Sequence, residues 1–526
     1  MTNVEKRASV VVPLTSGQVV LCGLLLCAIG ASLYFFGGYL TLKGVVGAAI
    51  LFYLVSSGFK HCLAVASGFH RYPSYVLPSL NDSTLPKVSI LIALRDEAGS
   101  IGNLVASIMR LEYPTWRLQV LLLIDEDDTD TLMAAARLGL PNYIEVVKVP
   151  DAGPRMKPKA LIWGYKFIAS DSQIIVPFDA EDRIPPDQIL HAVATFRARP
   201  TDRHGRRIGG AQARLTFWNP RGVKGRSWVS SLVYAEYCVQ YLHTLPGMER
   251  LGIPYPYGGT SCYFLRDALD AVTAMNGEWK FPHRKTGALL TFRGPWDLNP
   301  TEDADLTWRM LRCGWGNTLI NSTTNEEAPN RLLASGHQGT RWVHGYWLTW
   351  LVSIRKPVRT MRKTGPLSWM GFNLFMLGTP LSLILNPITW GTTILYIVSR
   401  YENWTGVSSY IHGLFPAPIF YIGLLVGAAN FSVFLQSIFA VLKAQEMSER
   451  EDITDPLSAH RQGEQYGITL RVALATLPWW VWRSISAWRA TFRLLRPKNN
   501  LSWTKKTPHG AAGELEEQLT MPELAL

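Results

Sequence analysis

The sequence predicts a doubly wound, mostly parallel α/β domain set between two groups of membrane helices. Three observations predict it. Uncharged apolar runs gather towards both ends of the chain, while the middle carries short β-branched runs alternating with helical segments. Three of those short runs end in carboxylates. Alternating strand and helix patterns build parallel sheets with helices on both faces.

Composition sets the frame. A chain of 526 residues that is 48% hydrophobic and 17% charged is too apolar to be disordered. A net charge of +12 beside a mean hydropathy of +0.07 is too apolar for a wholly soluble chain, so part of it is expected in lipid. Nineteen Trp suit membrane interfaces, where amphipathic rings collect. Cys22, Cys27, Cys62, Cys238, Cys262 and Cys313 are scattered with no C-x-x-C pair, which argues against both a disulfide framework and a structural zinc.

Residues 1–70 read as a transmembrane hairpin. Val19 to Phe36 and Gly44 to Phe59 carry no charge, and each approaches the ~20 residues a bilayer needs. No A-x-A-like site follows the first run and a second comes at once, which opposes a signal peptide. Lys6 and Arg7 precede the hairpin and Lys60, His61 and Arg71 follow it, so the positive-inside rule puts both of its ends in the cytoplasm.

Residues 71–342 read as a cytoplasmic domain. Val88 to Leu94, Leu118 to Ile124, Ile144 to Val149 and Gln173 to Phe178 are nearly continuous apolar runs, the pattern of strands buried on both faces. Gly99 to Arg110, Thr131 to Leu138 and Lys159 to Ala169 are the helices between and after them.

Residues 343–365 mix Tyr346, Trp347 and Trp350 with Arg355, Lys356, Arg359, Arg362 and Lys363, as an amphipathic segment in the interface does. Residues 366–490 return to apolar runs at Leu367–Ser399, Leu414–Leu442 and Ile468–Ala487. Pro380, Pro387 and Pro478 leave two or four crossings open. Either number returns the basic tail, residues 491–526, to the cytoplasm. The basic residues flank the apolar runs, where lipid explains them, so no nucleic acid partner is expected despite a pI of about 9.4.

The chemistry lies at the strand ends. Arg95-Asp96-Glu97, Asp125-Glu126-Asp127-Asp128 and Asp179-Ala180-Glu181-Asp182 each follow a strand, where ligands of open α/β sheets bind. Three converging acidic clusters repel one another unless a divalent cation sits among them, and carboxylate oxygens suit Mg²⁺ or Mn²⁺. A metal-bound anionic substrate is implied. Neither a phosphate-binding GxxxxGK[ST] loop nor a GxGxxG turn is present.

Six motifs then stand in order: Arg95-Asp96-Glu97, Asp125, Lys157-Pro158-Lys159-Ala160-Leu161, Asp179 to Asp182, Thr301-Glu302-Asp303, and Gln338-Gly339-Thr340-Arg341-Trp342. With these the chain resembles the membrane-integrated family 2 glycosyltransferases, the group of cellulose, hyaluronan and curdlan synthases, over nearly its whole length. The resemblance implies a GT-A-like α/β domain and a UDP-sugar donor. Glu97 and Asp125 would hold the uridine, Lys159 would lie near the diphosphate, and Asp179 would stand with the metal. The family's Asp-x-Asp reads Asp179-Ala180-Glu181 here, so the second metal ligand is either Glu181 or Asp182. Asp303 would be the general base, Arg341 would face the departing diphosphate, and Gln338 and Trp342 would bind the acceptor. Gly258-Gly259-Thr260-Ser261 resembles the family's small-residue acceptor wall, with an ordinary turn as the other reading. The tail motif at Trp503, Lys505, Lys506 and His509 resembles a gating segment, with a basic lipid anchor as the alternative.

The function this implies is inverting transfer from a UDP-sugar, with UDP-glucose favoured, in processive synthesis and membrane translocation of a β-linked polysaccharide. The partners are the donor, the growing polysaccharide or a lipid-linked acceptor, membrane lipids, and secretion subunits that the sequence leaves open. The setting is a bacterial inner membrane with the catalytic domain cytoplasmic. Two rivals remain: a single transfer to a lipid-linked acceptor, and a non-catalytic receptor or transporter with a nucleotide-binding-like domain.

Overall fold

The structure is a computed structural model that describes residues 14–72, 75–220, 227–451 and 458–494. Its strands are β1 (Lys87–Leu94), β2 (Leu118–Asp125), β3 (Ile144–Val149), β4 (Ser172–Phe178), β5 (Ile208–Phe217), β6 (Cys262–Leu265), β7 (Trp279–Pro282), β8 (Leu289–Phe292) and β9 (Gly316–Glu326). Seven of them form one sheet in the order β3-β2-β1-β4-β6-β5-β9, and β7 and β8 pair as a separate hairpin.

The expected mostly parallel sheet is present, with β6 running antiparallel to both β4 and β5. β2 is buried at every position, as a strand covered on both faces must be. The chain steps from β1 outward to β2 and β3, then returns to place β4 on the other side of β1. That reversal opens a crevice beyond the carboxyl ends of β1 and β4, the position where doubly wound sheets bind ligands. Arg95 to Glu97 leave β1 there and Asp179 leaves β4.

One face of the sheet packs on helices Ile101–Met109 and Gln188–Ala198, through Leu104, Ile108, Ile189 and Val193. The other packs on Lys157–Gly164, Arg266–Met275 and Glu302–Arg312, through Leu161, Leu269 and Leu306. A helix broken by a π turn at Gln240–Thr244 links this domain to the long helices.

Among the described residues three helices are long and apolar enough to cross a membrane: Ser16–Gly68, Pro366–Tyr401 and Ile419–Met447. Within the first, Gly37 takes a left-handed, non-helical conformation that a glycine adopts without strain, and the chain bends there. Ser32 and Thr41 hydroxyls meet at 2.9 Å across the bend, although nine residues along a straight helix would separate them by about 13 Å. The chain therefore turns back sharply at Gly37.

Elsewhere the structure amends the expected boundaries. Pro387 and Pro478 break nothing: Gly378–Tyr401 and Ser458–Leu494 run through them. The last helix is not among the three apolar enough to cross, because it carries charges such as Arg471, Arg483 and Arg489. The boundary set at residue 342 falls inside one helix, Leu332–Ser353, since no residue there breaks the helical hydrogen bonding, and the segment expected at the interface is its second half followed by Pro357–Thr364. The long helices dock on the domain through Leu63, Phe372, Phe375 and Met376, which pack with Met248 and Trp308.

Candidate active site

Each strand-end acid is fixed by a local device. After β1 the chain turns sharply at Asp96, whose φ of 58° is left-handed and whose backbone N–H donates to Asp128 Oδ2 at 2.7 Å. Asp128 also accepts from Thr131 N and so caps helix Thr129–Arg137. The turn buries Glu97, whose carboxylate accepts from the Ser100 hydroxyl.

Asp125, the last residue of β2, lies between two cations: Arg95 Nη1 donates to Oδ2 at 2.6 Å and Lys159 Nζ to Oδ1 at 3.3 Å. Lys159 is 1% exposed and also donates to Pro150 O, and burial lowers its pKa. Lys157, two residues earlier and so on the opposite side of the helix, is the lysine that enters the crevice. It donates to Asp179 Oδ1 at 2.5 Å and to Gly259 O at 2.7 Å. Burial opposes its charge, but Asp179 and Glu302 outweigh that and hold the ammonium above its ordinary pKa.

The acids after β4 divide. Asp182 is 3% exposed and turns inward, accepting from Asp179 N at 2.7 Å and from the Thr260 hydroxyl; its other oxygen, Oδ1, is buried with no partner among the described residues. Burial, then Asp179 and Glu181 nearby, push its pKa up. Asp179 and Glu181 face the crevice. Among the described residues no three His, Cys, Asp or Glu side chains gather about one point as metal ligands. Asp179 and Glu181 nonetheless offer the hard oxygens that Mg²⁺ or Mn²⁺ takes, on a turn tied down by Asp182, so the donor chemistry fits.

Asp303 occupies the first turn of helix Glu302–Arg312, where a carboxylate is favoured by the exposed backbone N–H groups. Burial lifts its pKa to about 6, and burial with its neighbour lifts Glu302 to about 8. Gly258 and Gly259 make the facing wall. A methyl on Gly258 would collide with the Tyr241 hydroxyl, and Gly259 has φ 91° and lies beside Asp303 Oδ2. Helix Leu332–Ser353 crosses above, and its Gly345 permits close contact with Thr301.

From that helix Gln338, Arg341 and Trp342 point into the same space. Gln338 Oε1 is buried and has no partner among the described residues. Burial lowers the pKa of Arg341, while Glu302, Asp179 and Glu181 act the other way. Trp342 stands 6.2 Å from the Tyr237 ring and 5.5 Å from the Arg483 guanidinium.

One cavity of about 750 Å³ is lined by Glu97, Asp125, Asp179, Glu181, Asp303, Gln338, Arg341 and Trp342. Of the residues expected from sequence, Lys159 and Asp182 stand behind its wall. Trp503, Lys505, Lys506 and His509 lie outside the described residues.

The cavity also holds residues that sequence reasoning missed. Glu326, at the end of β9, comes beside Asp182 because Arg183 and Asn325 exchange backbone hydrogen bonds; its pKa is raised by burial and then by Asp182, Asp179 and Glu181. Glu236 and Arg483 pair at the cavity wall, and Trp479 Nε1 donates to the same carboxylate at 2.8 Å. Only the fold brings these positions together; Lys157, however, sat beside the expected lysine in the Lys-Pro-Lys motif.

Comparison with known proteins gives the family context. Residues 174–402 match the family model described as glycosyl transferase family group 2. The chain is 24% identical over 436 residues to a beta-monoglucosyldiacylglycerol synthase of Trichormus variabilis, covering 82% of this chain and 78% of that protein. It is 25% identical over 444 residues to the protein of the same name from Nostoc sp., with the same coverage. Among solved structures it is similar to a mannosyltransferase from Pyrobaculum calidifontis in complex with GDP-Man and Mn²⁺, at 14% identity and a TM-score of 0.42, over 71% of this chain and 97% of that one. The receptor or transporter reading is thereby set aside: the chain is an enzyme, a glycosyltransferase, with residues 174–402 similar to the family 2 model.

Proposed function

We propose that this enzyme transfers a hexose, with inversion, from a UDP-sugar to a saccharide acceptor held in the cavity, and that it extends a β-linked polysaccharide. One observation carries the acceptor assignment. The cavity beside Asp303 continues between the long helices past Ser382, Asn386, Trp390 and Asn430, so its far wall sets hydroxyl, amide and indole groups among apolar side chains such as Phe375, Leu383 and Val433. Such a wall suits a sugar chain, which presents hydroxyls at its edge and C–H groups on its faces.

In this reading Asp125 and Glu97 bind the nucleoside, and Lys157 and Arg341 face the diphosphate. Asp303 takes the proton from the acceptor hydroxyl as that oxygen attacks the anomeric carbon. The new C–O bond forms as the bond to the diphosphate breaks, so one displacement inverts the centre. A positioned base of this kind gives typically ~10²–10⁴-fold. Asp179 and Glu181 would hold a Mg²⁺ or Mn²⁺, which when bound neutralises charge on the leaving diphosphate.

A second reading is favoured by the names of the relatives, beta-monoglucosyldiacylglycerol synthases: one transfer of glucose to a lipid acceptor. Glucose as the donor sugar fits both readings. Detergent-solubilised enzyme incubated with radiolabelled UDP-glucose and Mg²⁺ or Mn²⁺ separates them. A product of many sugars that stays in the aqueous phase supports polymerisation; a single labelled sugar extracted into chloroform reverses the order of the two.

A further inference from the structure

The β7–β8 hairpin lies outside the cavity, yet it is wired to it. Its backbone pairs with the loop after β3 through the Ala152 and His283 bridge, and Arg284 N donates to Asp151 O at 2.9 Å. From there an unbroken alternation of charge runs inward. Arg284 Nη1 meets Asp151 at 2.5 Å, Arg155 meets Asp151 at 3.1 Å and Asp127 at 2.6 Å, and Arg95 meets Asp127 at 3.1 Å and Asp125 at 2.6 Å. A parallel strut runs from His283 Nε2 to Glu126 at 2.5 Å, and Glu126 also accepts from Asp151 N at 2.8 Å.

The two ends of this chain differ. Arg284 is half exposed, whereas Asp151 and Asp125 are buried at 5% and 7%. Buried carboxylates need partners, since an unpaired charge in that setting is costly. Removing Arg284 leaves Arg155 as the cation on the Asp151 side chain. Arg155 must then serve Asp151 at the expense of Asp127, and Asp127 in turn draws Arg95 away from Asp125. The orientation of Asp125 is thus set partly from the hairpin, along a contiguous network of ion pairs.

We propose that Arg284 is a positioning residue for nucleotide binding, acting through Asp151, Arg155, Asp127 and Arg95 on Asp125. The inference rests on the reading of Asp125 as a nucleoside-binding residue. Arg284 touches neither donor nor acceptor in this scheme, so its loss weakens the nucleotide complex and leaves the chemical step alone.

The test is equilibrium binding of UDP with Mg²⁺ to the full-length enzyme, with steady-state kinetics on the same preparations. Arg284→Gln is expected to raise the Kd for UDP and the KM for the donor by about 3- to 30-fold, with kcat at saturating donor unchanged. Arg284→Lys, which keeps the charge, should restore most of the affinity. An Arg284→Gln/Arg155→Gln double variant should lose less than the product of the two single losses, because both act through Asp151. An Arg284→Gln enzyme with wild-type Kd and KM overturns the inference. So does a fall in kcat with Kd unchanged. Asp125→Asn separates this from the underlying reading: if it abolishes UDP binding while Arg284→Gln does nothing, only the hairpin's role fails. If Asp125→Asn binds UDP normally, both fail.

Discussion

Lys157 Nζ lies 2.5 Å from Asp179 Oδ1 and 2.7 Å from the carbonyl of Gly259, so one ammonium ties the acidic strand end to the wall that faces Asp303. In the proposed mechanism it faces the charge of the leaving diphosphate. Replacing Lys157 by Met removes the only lysine that lines the cavity near Asp179 among the described residues. The expected loss in kcat is about 10²–10³-fold, the range for deleting one group that stabilises developing charge, and initial rates of UDP release measure it. Lys157→Arg should retain more activity than Lys157→Met.

The pH profile follows from Asp303. As the proposed base it works as the carboxylate, and burial lifts its pKa to about 6. kcat/KM is therefore half-maximal near pH 6, reaches its plateau about a unit higher, and falls about tenfold per unit below, because the protonated acid accepts no proton. An acid limb centred near 4 would show that Asp303 is not the base. Asp303→Asn should remove both the limb and nearly all turnover.

For the proposed acceptor site the informative residue is Trp342, with Tyr237 and Arg483 against its ring. Trp342→Ala takes away the broad face but leaves Asp303 and the donor side untouched. A contact of this kind is worth about 1 kcal/mol, so the KM for acceptor should rise roughly 5-fold, with donor KM unchanged. Products of the variant should also be shorter, as gel filtration of labelled product would read. Trp342→Phe should fall between the two.

Much of this site was legible in the sequence, and the remainder fails for identifiable physical reasons. β1, β2 and β4 announce themselves because a strand buried on both faces must be largely apolar, and the acids at their ends mark the crevice; β3, expected to be buried on both faces as well, is instead the edge strand, with Glu145, Val146 and Lys148 exposed. β5 and β9 do not announce themselves. IGGAQARLTF and GNTLINSTTNE carry polar side chains that satisfy one another, as Arg214 does with Asn321 and Thr323. Pattern reading cannot see such pairing. The choice of Lys159 over Lys157 turned on which side of a helix faces the crevice, and both lysines lie in its first turn. Glu236, Glu326 and Arg483 share one wall across large gaps in sequence, so no spacing could have joined them.

The helix that carries Asp303 is braced from behind by one residue. Arg309 is 3% exposed and donates to Asp305 at 2.5 Å, to Asp297 at 2.6 Å and to Asn276 at 2.7 Å. Asp305 and Asp297 are 2% and 0% exposed, so neither can turn to water if the guanidinium is lost. Arg309→Met should then cost about 3–5 kcal/mol, the penalty for leaving buried charges uncompensated. That corresponds to a fall in Tm of roughly 6–20 °C for a domain of this size. Arg309→Lys keeps the charge but supplies it from one point, and cannot reach two carboxylates and an amide in a plane; it should recover part of the stability. Replacing Asp305 and Asp297 by Asn in the Arg309→Met background should recover more, because the stranded charges go with them. A thermal unfolding series on the four proteins decides it: a triple variant no more stable than Arg309→Met would mean that packing, not charge, makes Arg309 necessary.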